Sequence, residues 1–297
     1  MWQWLKSHQS VAESLFVKIK NPPCRFDGLI TTLSSNQMAK AQSIGLPSMG
    51  VSDMDLFSID EQLVRTADGF LAVCSSSVIL DITSFPKKFF FPFLHRLLLS
   101  TKIKNLLVTY TSPGRYYDGP LAEDHKPLAP LPLFRAQRVG DKVDVVIVSV
   151  GFMPLGLADF LEKYKNQVET KTLFPFPPGP PGFQRNWRFI NALRRDYPEA
   201  VKSPIRVDGH DVSDAFNHIR MITGDGKNRC EFGPFGPKPL SLAMCLYARL
   251  SRSVVRYTQP TVYHPQYTTG IRTVEGRPSI HTYCVRLNGV DLYQISD

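Results

Sequence analysis

A chain of 297 residues with 43% hydrophobic and 21% charged residues can bury one large core or two of ordinary size, which excludes a disordered polypeptide. The formal charge of +9 points to an anionic partner (nucleic acid, a nucleotide or an acidic protein surface), yet no Lys/Arg run is dense enough to be a nucleic-acid arm. The longest strongly apolar run, residues 89–99, is broken by Pro92, His95 and Arg96 and falls short of the roughly 20 residues a membrane span requires.

Residues 2–18 read as an amphipathic segment in which Lys6, His8, Glu13 and Lys18 interrupt any apolar signal core, so no secretory signal is expected and the protein reads as cytoplasmic. Residues 28–33 form a strand-like run that hands over to a helix at Ser34-Ser35-Asn36, and residues 78–82 (V-I-L-D-I) match a strand buried on both faces. Residues 83–87 lead into a helix at 89–99, and residues 105–110 supply the next strand. Strand, crossover helix and strand in that order imply a right-handed parallel unit. The Pro- and charge-rich stretch 117–132 closes a first half, residues 1–138.

The second half, residues 139–297, opens on the clearest strand of the chain, 143–150 (V-D-V-V-I-V-S-V), which Gly151 ends. A helix at 159–165 and a strand at 172–174 follow. Residues 174–182 (F-P-F-P-P-G-P-P-G) cannot be regular structure, because proline removes donors, and read as an ordered loop or lid. Behind it, 186–195 reads as a basic helix with Trp187 amid Arg185, Arg188, Arg194 and Arg195. It serves equally as a mobile cover, a docking surface or a solvated face. A helix at 212–222 has Asp211 or Ser213 as N-cap, and Gly224-Asp225-Gly226 is a turn. A helix at 239–250 and a strand at 253–257 precede a terminal hairpin turning at Asn288-Gly289.

One pattern occurs twice. Tyr110, Thr111, Pro113 and Tyr116 spell Y-T-x-P-x-x-Y, and so do Tyr257, Thr258, Pro260 and Tyr263; each copy follows a Pro-Lys pair (Pro86-Lys87, Pro237-Lys238), an apolar helix and a strand. Duplicated halves packed about a pseudo-twofold axis would account for the repeat and would create a shared cleft. The fold expected is α/β, two Rossmann-like parallel-sheet halves.

In open parallel sheets ligands bind at the carboxyl ends of strands. Four such ends carry suitable residues: 31–36, 81–87, 151–153 and 233–238. The last is the most specific, with glycines that admit a ligand, Lys238 for an anion, and a proline suited to the first helical turn; a Gly/Pro loop that merely shapes a helix start is the plain alternative. The paired tyrosines could stack on bases or simply pack a corner. Asp81, Glu231 and the group His210, Asp211, Asp214 and His218 are the acidic candidates, but the two histidines are too far apart for a chelating pair on a short helix, and Glu231 lies too far from Lys238 for a restriction-type nuclease. P-loop, dinucleotide, zincin and hydrolase-elbow signatures do not occur. The five cysteines form no C-x-x-C pair and read as buried thiols.

The run Gly236-Pro237-Lys238-Pro239-Leu240-Ser241-Leu242-Ala243 resembles the Gly-Thr-Lys loop of CARF-type Rossmann domains, the cyclic-oligoadenylate sensors of CRISPR systems. The resemblance covers roughly residues 143–265 and more weakly 26–116. Pro237 stands where the family has threonine, and the first copy, Ser84-Phe85-Pro86-Lys87, lacks the glycine. The resemblance implies a second ligand loop at Gly151 and Phe152, with Lys87 and Lys238 as mates. The combined expectation is a nucleotide- or oligonucleotide-binding sensor or regulatory component of a prokaryotic defence system. Its ligand contacts would be Lys238, Gly236, Ser241, Lys87, Ser84, Thr83, Tyr110, Thr111, Tyr116, Tyr257, Thr258, Tyr263, Gly151 and Phe152. Output would pass to an effector protein or nucleic acid. No cofactor and no oligomeric state is indicated by the sequence. An enzyme acting on nucleotides or nucleic acid, and a structural docking subunit, are the alternatives.

Overall fold

The computed structural model describes residues 60–135, 142–151, 155–176, 183–264 and 267–295. The expected segments at 2–18 and 28–33, the strand end at 31–36, Phe152 and most of the proline loop lie outside them. In chain order the main elements are α1 (Asp60–Val73), β1 (Ser77–Asp81), α2 (Lys87–Leu99), β2 (Asn105–Thr111), β3 (Val145–Ser149), α3 (Leu157–Tyr164), β4 (Glu169–Pro175), α4 (Phe183–Asp196), β5 (Ile205–Val207), α5 (Val212–Ile222), β6 (Cys230–Pro234), α6 (Lys238–Ser251), β7 (Val254–Tyr257) and β8 (Ile280–Leu287). The chain is mixed α/β, with parallel strand pairs joined through helices. Among the described residues no helix is long and apolar enough to cross a membrane.

Two compact units emerge: Met1–Arg115 with Thr268–Leu292, and Tyr116–Tyr267 with Tyr293–Asp297. Sequence divides the chain once, at 138/139, whereas these units trade segments. The short strand Ala129–Pro130 pairs antiparallel with β7 in the second unit; β8, later in the chain than β7, pairs antiparallel with β2 in the first. Neither partner is legible locally, because strand pairing is a long-range choice.

In the first unit β1 and β2 run parallel, Ser77 opposite Asn105 through Asp81 opposite Thr109, and α2 connects them. Val78 and Leu80 bury one face of β1; on the other face Ile79 is half-buried between buried Ser77 and Asp81. Helix α2 buries Phe89, Phe90, Phe91, Phe93, Leu94, Leu97 and Leu98. Helix α1, which the sequence reading passed over, packs Leu63, Ala67 and Phe70 inward at helical spacing, and its Asp68 meets Arg96 of α2 at 2.8 Å. The terminal hairpin turns at Asn288 (φ 51°) and Gly289 (φ 84°), both left-handed as a two-residue type I′ turn demands.

In the second unit five parallel strands lie in the order β7-β6-β3-β4-β5. The chain therefore starts at the middle strand β3, steps outward through β4 and β5, then returns to β3's other side with β6. Every residue of β3 is buried. Val146 and Val148 share a core with Leu157, Phe160 and Leu161 of α3 and with Ile190 and Leu193 of α4. Phe232 of β6 instead meets Tyr247 of α6, which in turn meets Phe216 of α5. Helices thus cover both sheet faces, which explains the absence of in/out alternation along β3. Asp211, not Ser213, caps α5: its Oδ1 accepts the N–H groups of Ser213 (2.8 Å) and Asp214 (3.0 Å).

The core sets an alkaline limit on stability. Burial pushes the Cys230 thiol up to about 12 from an ordinary 9.0, lifts Cys245 well above that ordinary value, and raises Tyr164, whose hydroxyl also donates to the Glu231 carboxylate. Each group holds its proton more tightly folded than unfolded. Their contribution is complete below the unfolded thiol value and is lost as pH climbs toward the folded one. The urea midpoint is expected to stay level to about pH 8 and to fall steadily from about pH 9 upward; a midpoint level to about pH 11 would contradict it.

Candidate functional site

The two loops singled out by sequence meet. β3 and β6 are neighbours in register, with Ser149 opposite Pro234, so the Gly151 and Gly236 loops leave the sheet side by side at the point where strand order reverses. There the Gly236 N–H donates to Ser149 Oγ at 3.0 Å. A Cβ on Gly236 would sit 2.8 Å from Ser149 Cβ and Oγ, and one on Gly151 would sit 3.2 Å from the Phe235 carbonyl oxygen. The glycines bring backbone against backbone, and the floor between the loops is filled by protein.

Lys238 is the first residue of α6 and half-buried; Pro237 precedes it in extended conformation without a side-chain cap. Pro239 has no N–H, so the first turn presents the amides of Lys238 and Leu240. Ser241 is fully buried and its hydroxyl donates to the Pro237 carbonyl at 3.2 Å, which ties it to the helix start. Tyr257, half-buried at the end of β7, packs its ring 5.5 Å from Phe235, and Phe235 adjoins Gly236. Gly151, Gly236, Lys238, Ser241 and Tyr257 therefore gather at one edge.

The other residues stand elsewhere or are engaged differently. Thr258 is fully buried and its hydroxyl donates to the Leu155 carbonyl at 2.8 Å. Tyr116 sets its ring 6.3 Å from that of Tyr267, edge-on, and Tyr263 lies on the short strand Pro260–Tyr263. In the first unit Lys87 likewise opens α2 behind an extended Pro86, half-buried, and Ser84 is exposed. Thr83 Oγ1 accepts the Thr111 N–H at 2.8 Å, and buried Tyr110 lies 6.4 Å from the His281 ring. Asp81 is buried, with Oδ1 accepting the Thr83 N–H at 2.6 Å and Oδ2 the Thr109 hydroxyl at 3.3 Å. It organises its own loop.

The acidic candidates are also structural in their contacts. Glu231 accepts from Tyr164 and from Arg256 Nε at 2.7 Å inside the α3-facing core. Asp208 and Asp211 accept backbone N–H groups of the β5–α5 turn, and Asp214 accepts the Asp208 N–H at 2.9 Å and faces His218 at 3.5 Å. Among the described residues no group of three or more His, Cys, Asp or Glu side chains could hold a metal ion.

Ser149 escaped the sequence reading. Its signal is a lone hydroxyl at the carboxyl end of an otherwise apolar buried strand, two residues before a glycine. Comparison with protein-family models, with curated proteins and with solved structures finds no match.

Proposed function

We propose that the chain is a Rossmann-like, CARF-like nucleotide- or oligonucleotide-binding sensor or regulatory component of a prokaryotic defence system, with its ligand at the strand carboxyl ends around Gly151, Gly236 and Lys238. The observation that carries this reading is the meeting of the β3 and β6 loops where strand order reverses, the position at which doubly wound sheets take nucleotides. Numbered along the chain, the five parallel strands have the order 3-2-1-4-5, that of nucleotide-binding sheets of this class. Internal duplication is supported by the recurrence of one order of parts: parallel strand, extended proline, helix opening on lysine, parallel strand, Tyr-Thr corner and short strand, at 77–116 and at 230–263. Lys238 and the first-turn amides of α6 neutralise phosphate in this scheme, and Lys87 is its counterpart in the first copy.

The test is a thermal-shift and mass-spectrometric screen against mononucleotides and linear and cyclic oligonucleotides, with Lys238→Ala beside the wild type. A ligand at about 100-fold its Kd stabilises by about 2.7 kcal/mol. Lys238→Ala is expected to weaken that ligand by about 10- to 100-fold, the worth of one charge-assisted contact, with the unliganded melting temperature unchanged. Equal binding by the variant would sink this account of the site. Release of a cleaved product would move the protein to the enzyme class.

A further inference from the structure

We infer that Phe176, with Arg206 against its ring, is a stacking subsite that takes an aromatic base of the ligand held at this edge; the inference rests on the nucleotide-binding reading above. Phe176 immediately follows β4, the other neighbour of β3. Ser149 is opposite Leu173, and the Val150 N–H donates to the Leu173 carbonyl at 3.1 Å. Continuing that register by two residues sets Gly151 level with Pro175, so Phe176 emerges one strand away from the Gly151 and Gly236 loops.

Three observations give the position a binding chemistry. Phe174 is buried at 3% exposure, but Phe176 leaves 42% of its surface in water, an expensive place for a large apolar ring. Its backbone is nevertheless fixed, because the Phe176 N–H donates to the Val207 carbonyl at 2.7 Å, at the end of β5. The Arg206 guanidinium lies 5.5 Å from the ring centroid, within cation–π reach. A rigid, partly exposed ring with a cation beside it, next to a phosphate-type loop, suits a base whose sugar-phosphate runs toward Lys238. Stacking tolerates any base, so this subsite sets the class of ligand and not its sequence.

The experiment titrates the full chain by calorimetry with the ribonucleoside 5′-monophosphates, their linear and cyclic trinucleotides, and ribose 5-phosphate as a base-free control. Phe176→Ala is expected to weaken the bound nucleotide by about 5- to 150-fold, the range for one base–aromatic stack. Phe176→Trp should retain affinity and report it by quenching of the added indole fluorescence. Arg206→Ala should cost about 2- to 5-fold. The ring is only partly exposed and packs on Arg206, so the melting temperature of free Phe176→Ala should fall slightly, and affinities are compared well below it. Full affinity in Phe176→Ala, with Lys238→Ala still impaired, overturns the stacking subsite and leaves the phosphate site standing. Ribose 5-phosphate binding as tightly as a nucleotide also overturns it. If none of the probes binds the wild type, both readings fall together.

Discussion

Replacing Arg286 by alanine is expected to destabilise the unit built on β1, β2 and β8 by about 3–5 kcal/mol, the loss typical of removing one partner from a buried, hydrogen-bonded charge. Arg286 is 8% exposed and holds four acceptors: the carbonyls of Leu98 (2.6 Å), Ser100 (2.9 Å) and Ile103 (3.2 Å), and the Asp291 carboxylate. The cation thereby closes the carboxyl end of α2, where a helix presents orphan carbonyls and partial negative charge. A register shift in β8 between Cys284 and Arg286 aims the side chain there, as bulges do. Alanine leaves three carbonyls and a half-buried carboxylate without this donor. Arg286→Lys should recover less than half of the loss, since a single ammonium cannot span the fork of acceptors. Asp291→Asn should lose less than Arg286→Ala. The measurement is urea unfolding followed by circular dichroism, and a midpoint for Arg286→Ala within experimental error of wild type would refute the assignment.

Arg286 also marks where sequence reasoning stops. Strand β3 was legible because V-V-I-V-S is a continuous buried run, and α6 because its apolar stretch is long and opens on Pro237-Lys238. Periodicity reports what one element buries, so it can place such elements. It cannot report which strand lies beside which, so the return of β8 to β2 and of Ala129–Pro130 to β7 stayed hidden. Strand β5 was missed for its brevity: Ile205–Val207 lies between Pro204 and Asp208, and three residues are too few for alternation to be read. Phe176 was absorbed into the proline loop, because F-P-F-P-P-G reads as one irregular stretch until β4 is seen to run through Pro175.

Of the site, the residue types were legible and their partners were not. The glycine at 236 reads as room for a ligand, but its missing Cβ makes room for Ser149. The two corner threonines, Thr111 and Thr258, read as repeated ligand contacts. In the structure Thr111 gives its N–H to Thr83, and Thr258 gives its hydroxyl to Leu155, so each corner fastens its strand to a neighbouring loop by a different bond. A repeated pattern in sequence is therefore compatible with repeated architecture built on non-identical contacts.

The Thr258 contact leads to the second large effect: Gly156→Ala should destabilise the unit built on β3 to β7 by about 2–5 kcal/mol. Gly156 caps α3 in the left-handed region (φ 73°, ψ 6°), which an L side chain enters at about 1–2 kcal/mol. A Cβ there would lie 2.3 Å from both Cγ2 and Oγ1 of Thr258 and 2.5 Å from its Cβ, well inside van der Waals contact. Thr258 cannot swing away, because it is fully buried and its hydroxyl is committed to Leu155. Overpacking of this kind adds about 1–3 kcal/mol. A double-mutant cycle separates the two parts. Thr258→Gly removes all three clashing atoms, so adding Gly156→Ala to it should cost only the backbone share, about 1–2 kcal/mol. Additive effects in that cycle would mean that the clash is relieved by motion of α3 and that Thr258 does not hold the helix start. A coupling of about 1 kcal/mol or more would establish the corner threonine as the wedge beneath α3.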